Sequence, residues 1–513
     1  MKRIFCLVLF SLPAFGQITA PPPMTPRAAA RFLEQATWGP TSAAITQLSN
    51  VGIENWLNAQ FEATPSDLPD QAILQSNGQS NNDLTPVQAA FFVNAVNGQD
   101  QLRQRVAFIL SQMLVVSQVS VHPACAFPPY WRIFQANAFG NYRDILKAIT
   151  LSPAMGFYLN MANNNKANPA KGTAANENYA RELMQLFSLG LDVLNPDGTL
   201  ALDANKNPIP TYNQAVVTNM AKVLTGWTYP TEPGATAKTN NPVYYFGQMF
   251  AVAAEHDTTA KTIFDNIAIP AGQTGEQDLD AVLDAMMQQP TMAPFISKQL
   301  IQHLVTSNPS PAYVQRVSQA FTSTNGDMKA VITAILTDTE ARAADSADAP
   351  ANTSFGHLRE PILFLTSVVR GLNGTATAAN SLNGRANQLG ENLFNAPSVF
   401  SYFSPQYRTE GLPGPEFQIY STQTAADAAD IVNTALYGTL DKNVTLSLTP
   451  FTQQAGDVNS LLTYIGSVFL HGAMSLNLQA DAASAANAQS TATAKTQAAL
   501  YAVLTSGEYQ VIH

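Results

Sequence analysis

In segment after segment of this 513-residue chain, apolar residues return every three or four positions, the spacing of one helix face. Ala28, Phe32 and Leu33 open the pattern, followed by Ile53, Trp56, Leu57 and Phe61. Leu102, Val106, Ile109, Leu110 and Met113 repeat it, and so do Val216, Val217, Met220, Val223 and Leu224. Leu279, Val282, Leu283, Met286 and Met287 carry it into the second half, and residues 357–372 read as one buried helix. Local signals agree with the period. Thr85-Pro86 suits a helix start, Thr211-Tyr212-Asn213-Gln214 reads as a capping box, and Asn195-Pro196-Asp197-Gly198 is a turn. Elements of this kind bury their stripes against one another, so the fold class is mainly α, a large multi-helix domain or domains without a solenoid period.

The helical pattern breaks at length once. Around residues 228–273 Pro, Thr and Gly dominate, and Val243 to Phe246 with Met249-Phe250 suit short strands. An excursion this long is more than a connection, so it marks a functional loop or a domain seam. The expected organisation is an N-terminal helical region at 17–230, the irregular excursion at 231–275 and a C-terminal helical region at 276–513. A chain of this length accommodates two or three cores, although one continuous domain over about 25–510 is the alternative.

Charged residues make up only 12% of the chain, about half the usual share, and the net charge is -10. A nucleic-acid partner is therefore excluded, since it requires a basic face. Residues 1–16 have the form of a signal peptide: Met1-Lys2-Arg3 is the basic start, an apolar run follows, and Ala14-Phe15-Gly16 offers small residues for cleavage. The expected location is secreted or periplasmic, with no membrane span in the mature chain. Once the signal is removed Cys125 stands alone, so no internal disulfide forms, and its apolar Pro-rich setting suits a packed thiol.

Polar groups concentrate most sharply in the helical stretch at 176–190, which ends on Gly190. On a helical wheel Glu177, Arg181, Glu182, Asn178, Gln185 and Ser188 share a sector of roughly 140°. An ordinary surface helix with one Glu177–Arg181 pair accounts for that pattern by itself. The second concentration is Glu255-His256-Asp257 inside the excursion, followed by Lys261; six His occur in the chain, and this one sits between acids. A loop His-Asp pair is often only a turn or cap. If both groups lined one cleft, Glu177, Arg181, Glu182, His256 and Asp257 would be the candidate catalytic residues, and His256, Asp257 and Glu182 a candidate set for a divalent metal. His303 and His471 read as structural residues of apolar helices. The hydrolase elbow, the P-loop, the dinucleotide fingerprint, the H-E-x-x-H zinc pattern and C-x-x-C are all missing.

"ENYARELMQLFSLG" (177–190) resembles the hallmark of a bacterial family catalogued as domain of unknown function 1800. "FLEQATWGPT" (32–41), "VLTGWTY" (223–229), "EHDTTAKTIF" (255–264) and "NAPSVFSYFSP" (395–405) are similar to its further motifs, in order. The sequence departs from many members at 108–119, which here holds no His. The resemblance implies an exported, mostly helical bacterial protein and a partner from an exported, sulfatase-like family; it implies no activity. Two functions stay open: an extracytoplasmic enzyme, hydrolase-like, acting on a polymer or its fragments through a carboxylate/His site, and a non-catalytic secreted scaffold working with an exported partner.

Overall fold

The computed structural model describes residues 24–76, 78–346 and 355–513. The segment read as a signal, residues 1–16, lies outside them.

Proline and short polar caps start most helices. Thr25 accepts from Ala28 N ahead of α1 (Pro26–Ala36), with Pro26 supplying a preset first-turn φ. Then come α2 (Ser42–Glu62), α3 (Thr85–Asn97), α4 (Gln101–Met113), α5 (Phe127–Asn137), α6 (Tyr142–Thr150) and α7 (Pro153–Tyr158). Two short helices hold the motif region, α8 (Asn178–Gln185) and α9 (Gln214–Val223). A capping box, Thr274 with Gln277, opens α10 (Gly275–Met287), and α11 (Met292–Leu304), α12 (Pro311–Ser323) and α13 (Met328–Thr337) follow. The last part runs through α14 (Pro361–Gly371), α15 (Leu382–Gln388), α16 (Thr422–Tyr437), α17 (Thr449–Thr452), α18 (Val458–Phe469), α19 (Leu476–Asn487), α20 (Ala492–Leu504) and α21 (Gly507–Gln510). The fold is mainly α; the sheets among the described residues are two-stranded and two residues long. No described helix is long and apolar enough to cross a membrane.

One cluster of buried apolar side chains runs from Ala29 to Ile512 and includes residues on both sides of the excursion and within it, such as Trp227, Tyr245 and Ile263. Successive helices pack as neighbours, α4 on α5, α11 on α12, α19 on α20, while α1 reaches α18 and α13. The chain closes on itself where Val511–Ile512 pairs antiparallel with His357–Leu358.

Four local expectations are corrected. The helix read over 357–372 begins only at Pro361, because proline disfavours helical backbone before it and Glu360 is extended (φ -65°, ψ 153°). Helix α9 is capped by Asn213, whose side chain accepts from Val216 N; the Thr211 hydroxyl instead donates to Gly190 O. Strand pairing in the excursion uses Trp227–Thr228 with Phe250–Ala251, and Lys261–Thr262 with Ala268–Ile269, leaving Val243 to Phe246 irregular. His471 lies beyond the end of α18 at φ 52°, outside any helix.

Candidate functional site

Helix α8 is shorter than its sequence pattern. An Asn176 Oδ1 bond to Asn178 N sets its start, and Tyr179, Ala180, Leu183 and Met184 face the core. Tyr179 exchanges a 2.6 Å hydroxyl bond with Thr150 of α6. After Gln185 the regular ladder gives way: Leu189 N and Gly190 N both donate to Met184 O, and the Ser188 hydroxyl donates to Leu183 O. Gly190 turns at φ 77°, and a Cβ there would meet the Phe295 ring at 2.9 Å, so the tight stop requires glycine.

On the polar face Glu177 accepts four hydrogen bonds from three side chains. Arg181 Nη2 stands at 3.0 Å, Gln214 Nε2 at 3.0 and 3.1 Å from the two oxygens, and Thr218 Oγ1 at 3.0 Å. The last two belong to α9, so this carboxylate ties α8 to α9. Glu182 is in a different state. It is half-buried and accepts no side-chain hydrogen bond; burial raises its pKa, and the Arg181 charge offsets that only in part. Tyr158 of α7 and Tyr212 both feel the Glu182 charge. Burial, reinforced by Glu182, pushes the Tyr158 phenol up to about 12, and the buried Tyr212 hydroxyl has no partner.

His256 is enclosed. Gly226, at φ 85°, lets the backbone pass so closely that a Cβ would stand 2.8 Å from His256 N. The ring Nδ1 lies 3.0 Å from Thr225 O and 3.4 Å from Thr225 Oγ1, and Nε2 lies 3.1 Å from Asp278 Oδ2. The same Asp278 oxygen accepts from Lys261 Nζ at 2.5 Å, and Lys261 also donates to Asp257 O. All three side chains are buried. Asp257 is used locally: its carboxylate accepts from Thr259 N at 2.9 Å and from the Thr259 hydroxyl at 2.5 Å. A Thr–His–Asp chain has the connectivity of a nucleophile triad. Here, however, Thr225 is fully enclosed and its hydroxyl donates to Lys222 O, so no substrate reaches it. The arrangement anchors the excursion to α10.

The two sequence constellations are joined through backbone. The Asn164 side chain accepts from Asn176 N at 2.7 Å and donates to Asn176 O at 3.1 Å, just ahead of α8. Its carbonyl accepts from Gly226 N, and Lys166 N donates to Glu255 O. No hydrogen bond or ion pair links Glu177, Arg181 or Glu182 to the His256 or Asp257 side chain. His256, Asp257 and Glu182 do not form a metal-holding set; among the described residues no group of three or more His, Cys, Asp or Glu is placed to hold a metal.

Asp278 was not among the sequence candidates, although a signal existed. It shares the apolar stripe of α10 with Leu279, Val282 and Met286, a carboxylate on a buried face. Two further charged clusters also went unread. Glu34 of α1 contacts Arg359 and His471; burial pushes its carboxyl up, but Arg359 and the His471 contact together outweigh burial and hold it at about 2. Gln112 Nε2 donates to Glu360 Oε2 at 2.9 Å and to Glu391 Oε1 at 3.1 Å, with Arg105 Nη1 at 3.5 Å from Glu360 Oε1. Gln112 thus bridges Glu360 and Glu391, and burial raises both above the usual carboxylate range. Cys125 is buried, and burial pushes its thiol up to about 11, consistent with a packed residue.

This geometry defines a class: a large helical protein whose buried charges join distant elements and whose motif helix keeps one carboxyl unpartnered. A model of the family described as "Protein of unknown function (DUF1800)" matches residues 31–511, and the chain belongs to that family. No curated protein and no solved structure matches the chain significantly.

Proposed function

We propose that this chain works outside the cytoplasm, directed there by its signal-like N-terminus, and handles a neutral hydrogen-bonding polymer or its fragments at the polar face of α8. One observation carries the reading: the Glu182 carboxyl is half-buried, without a hydrogen-bond partner, and raised by that burial. A carboxyl in this state keeps its proton closer to neutral pH, as a general acid requires. Arg181 and the Tyr158 and Tyr212 hydroxyls are the groups that orient the bound segment, and Glu177 positions Arg181. His256 and Asp257 hold the loop behind the face and take no part in proton transfer. The low share of charged residues suits an uncharged polymer.

A second reading, a non-catalytic scaffold for an exported, sulfatase-like partner, is favoured by the commitment of His256 and Asp257 to structural bonds. That leaves one titrating carboxyl where acid–base chemistry ordinarily uses two groups. Co-sedimentation with chitin, cellulose, xylan and peptidoglycan, with release of reducing ends and amines measured alongside, separates them. Binding with turnover supports the first reading, and binding without turnover the second. Absence of both on every polymer contradicts the polymer reading.

A further inference from the structure

We propose that the polymer of the α8 face is a polysaccharide, held by a rim of exposed aromatic rings around α7, an inference that rests on the neutral-polymer reading of Glu182. Six aromatic side chains among the described residues are more than a third exposed: Phe157, Phe250, Phe400, Phe417, Tyr420 and Tyr437. One exposed ring is ordinary, but the first five of these belong to segments on or beside a single short helix. Phe157 is part of α7 and stands edge-on to the buried Tyr245, 6.5 Å between centroids. Phe250 follows Met249, whose side chain fills the space at Gly156 of α7, where a Cβ would stand 2.5 Å from its Sδ. Tyr158, which feels the Glu182 charge, packs with Ile419 on a small core of Val115, Ala396, Tyr402 and Phe403.

The segment at 395–420 is folded so that its rings stay outside. Ser401, at φ 66°, turns the chain between the exposed Phe400 and the buried Tyr402 and Phe403. The Tyr402 hydroxyl donates to Asn392 O and the Ser117 hydroxyl to Ala396 O, which fixes the turn from below. Ser404 N donates to Gln418 Oε1 at 2.6 Å and Gly414 N to Tyr407 O, so the two halves of the segment are tied together. Phe417 and Tyr420 meet edge to face across 6.1 Å, while Ile419 between them packs inward.

Charge is scarce in these segments. Residues 151–163 and 241–254 contain no Asp, Glu, Lys or Arg. Residues 395–425 contain Arg408, Glu410 and Glu416, the last buried beside His357. One exposed cation and one exposed anion offer a charged polymer no net complement. Exposed amides at Asn160, Gln248 and Gln406 lie in the same three segments. Rings beside amides match a pyranose, whose C–H faces are flat and apolar and whose edge carries hydroxyls. An extended polypeptide repeats no such face along its length, because its side chains alternate.

Affinity electrophoresis of the purified chain in hydroxyethylcellulose, arabinoxylan or glycol chitin tests the assignment, with poly(hydroxyethylglutamine), a neutral polypeptide, as the control. At least one polysaccharide is expected to retard the chain, and the polypeptide is not. Phe400→Ala and Tyr420→Ala should each weaken that binding about tenfold. Phe400→Tyr should keep it, and Tyr437→Ala, at the far end of α16, should change nothing. The polymer series needs no variant, so poor folding of one does not mask the result. Retardation by the polypeptide alone overturns the polysaccharide and leaves Glu182 with a neutral polymer. Polysaccharide binding indifferent to both alanine variants overturns the rim alone. Retardation by none of the four polymers overturns both the rim and the neutral polymer at Glu182.

Discussion

His256 Nε2 lies 3.1 Å from Asp278 Oδ2, a carboxylate 22 residues further along the chain, and the side chain of the adjacent Asp257 is bonded elsewhere. Lys261 Nζ meets the same oxygen from the other side, so Asp278 holds two groups of the excursion against α10. Breaking such a buried pair leaves an uncompensated charge, which costs about 3–5 kcal/mol. Asp278→Asn should therefore lower the urea midpoint of unfolding strongly. His256→Ala should destabilise by about 2–4 kcal/mol through the cavity and the lost bonds. Unchanged unfolding in both variants would return His256 to the list of reacting residues.

Glu34 couples stability to acid. Its folded pKa, about 2, lies below the unfolded carboxyl value of about 4.3, so its contribution is complete above that value and disappears as pH falls towards 2. In acid titrations followed by circular dichroism, the wild type should lose this increment between about pH 4.5 and 2. Glu34→Gln should lack that step and start from a lower stability at neutral pH, since Arg359 is then buried without its carboxylate. Matching acid profiles would contradict the assignment.

The Glu360–Glu391 pair acts in the opposite sense. Both carboxyls are raised, so the stability they add is present below the unfolded carboxyl range and falls away as pH rises through their folded values. Glu391→Gln removes one of the two buried carboxyls and should flatten the alkaline side of the stability profile. A steeper alkaline fall in the variant would contradict the raised state of the pair.

Glu182 is raised as well, and the same sign applies. Any stability it adds is present at low pH and lost as pH rises, so Glu182→Gln should gain on the wild type at pH 7 relative to pH 4. Because the side chain is only partly enclosed, the gain should stay below about 1 kcal/mol. Thermal melts at the two pH values measure it, and a large loss of stability would make Glu182 a packing residue.

Much of the helical architecture was legible because periodicity and caps are local. The stripe Leu279, Val282, Leu283 and Met286 became α10 as its spacing required. The errors fall where distant contacts overrule local preference. Residues 357–358 form a strand because Val511–Ile512 returns to pair with them, and nothing near His357 announces a partner at the far end of the chain. The wheel of 177–190 isolated Glu177 and Glu182 together; only the approach of α9, bringing Gln214 and Thr218 to Glu177, tells the two carboxyls apart. His256 drew attention through its acidic neighbours, yet its partner is an Asp on the buried stripe of another helix. The pairing of Glu360 with Glu391 through Gln112 joins three segments far apart in sequence, and no local pattern contains it.

The central claim is that Glu182 is the acting carboxyl of the α8 face and that His256 is structural. Its most direct test is turnover and binding of the captured polymer by Glu182→Gln, measured against the wild type at the same pH. Loss of a general acid predicts turnover reduced about 10²–10⁴-fold with binding and melting temperature retained. Retained turnover in Glu182→Gln would contradict the account.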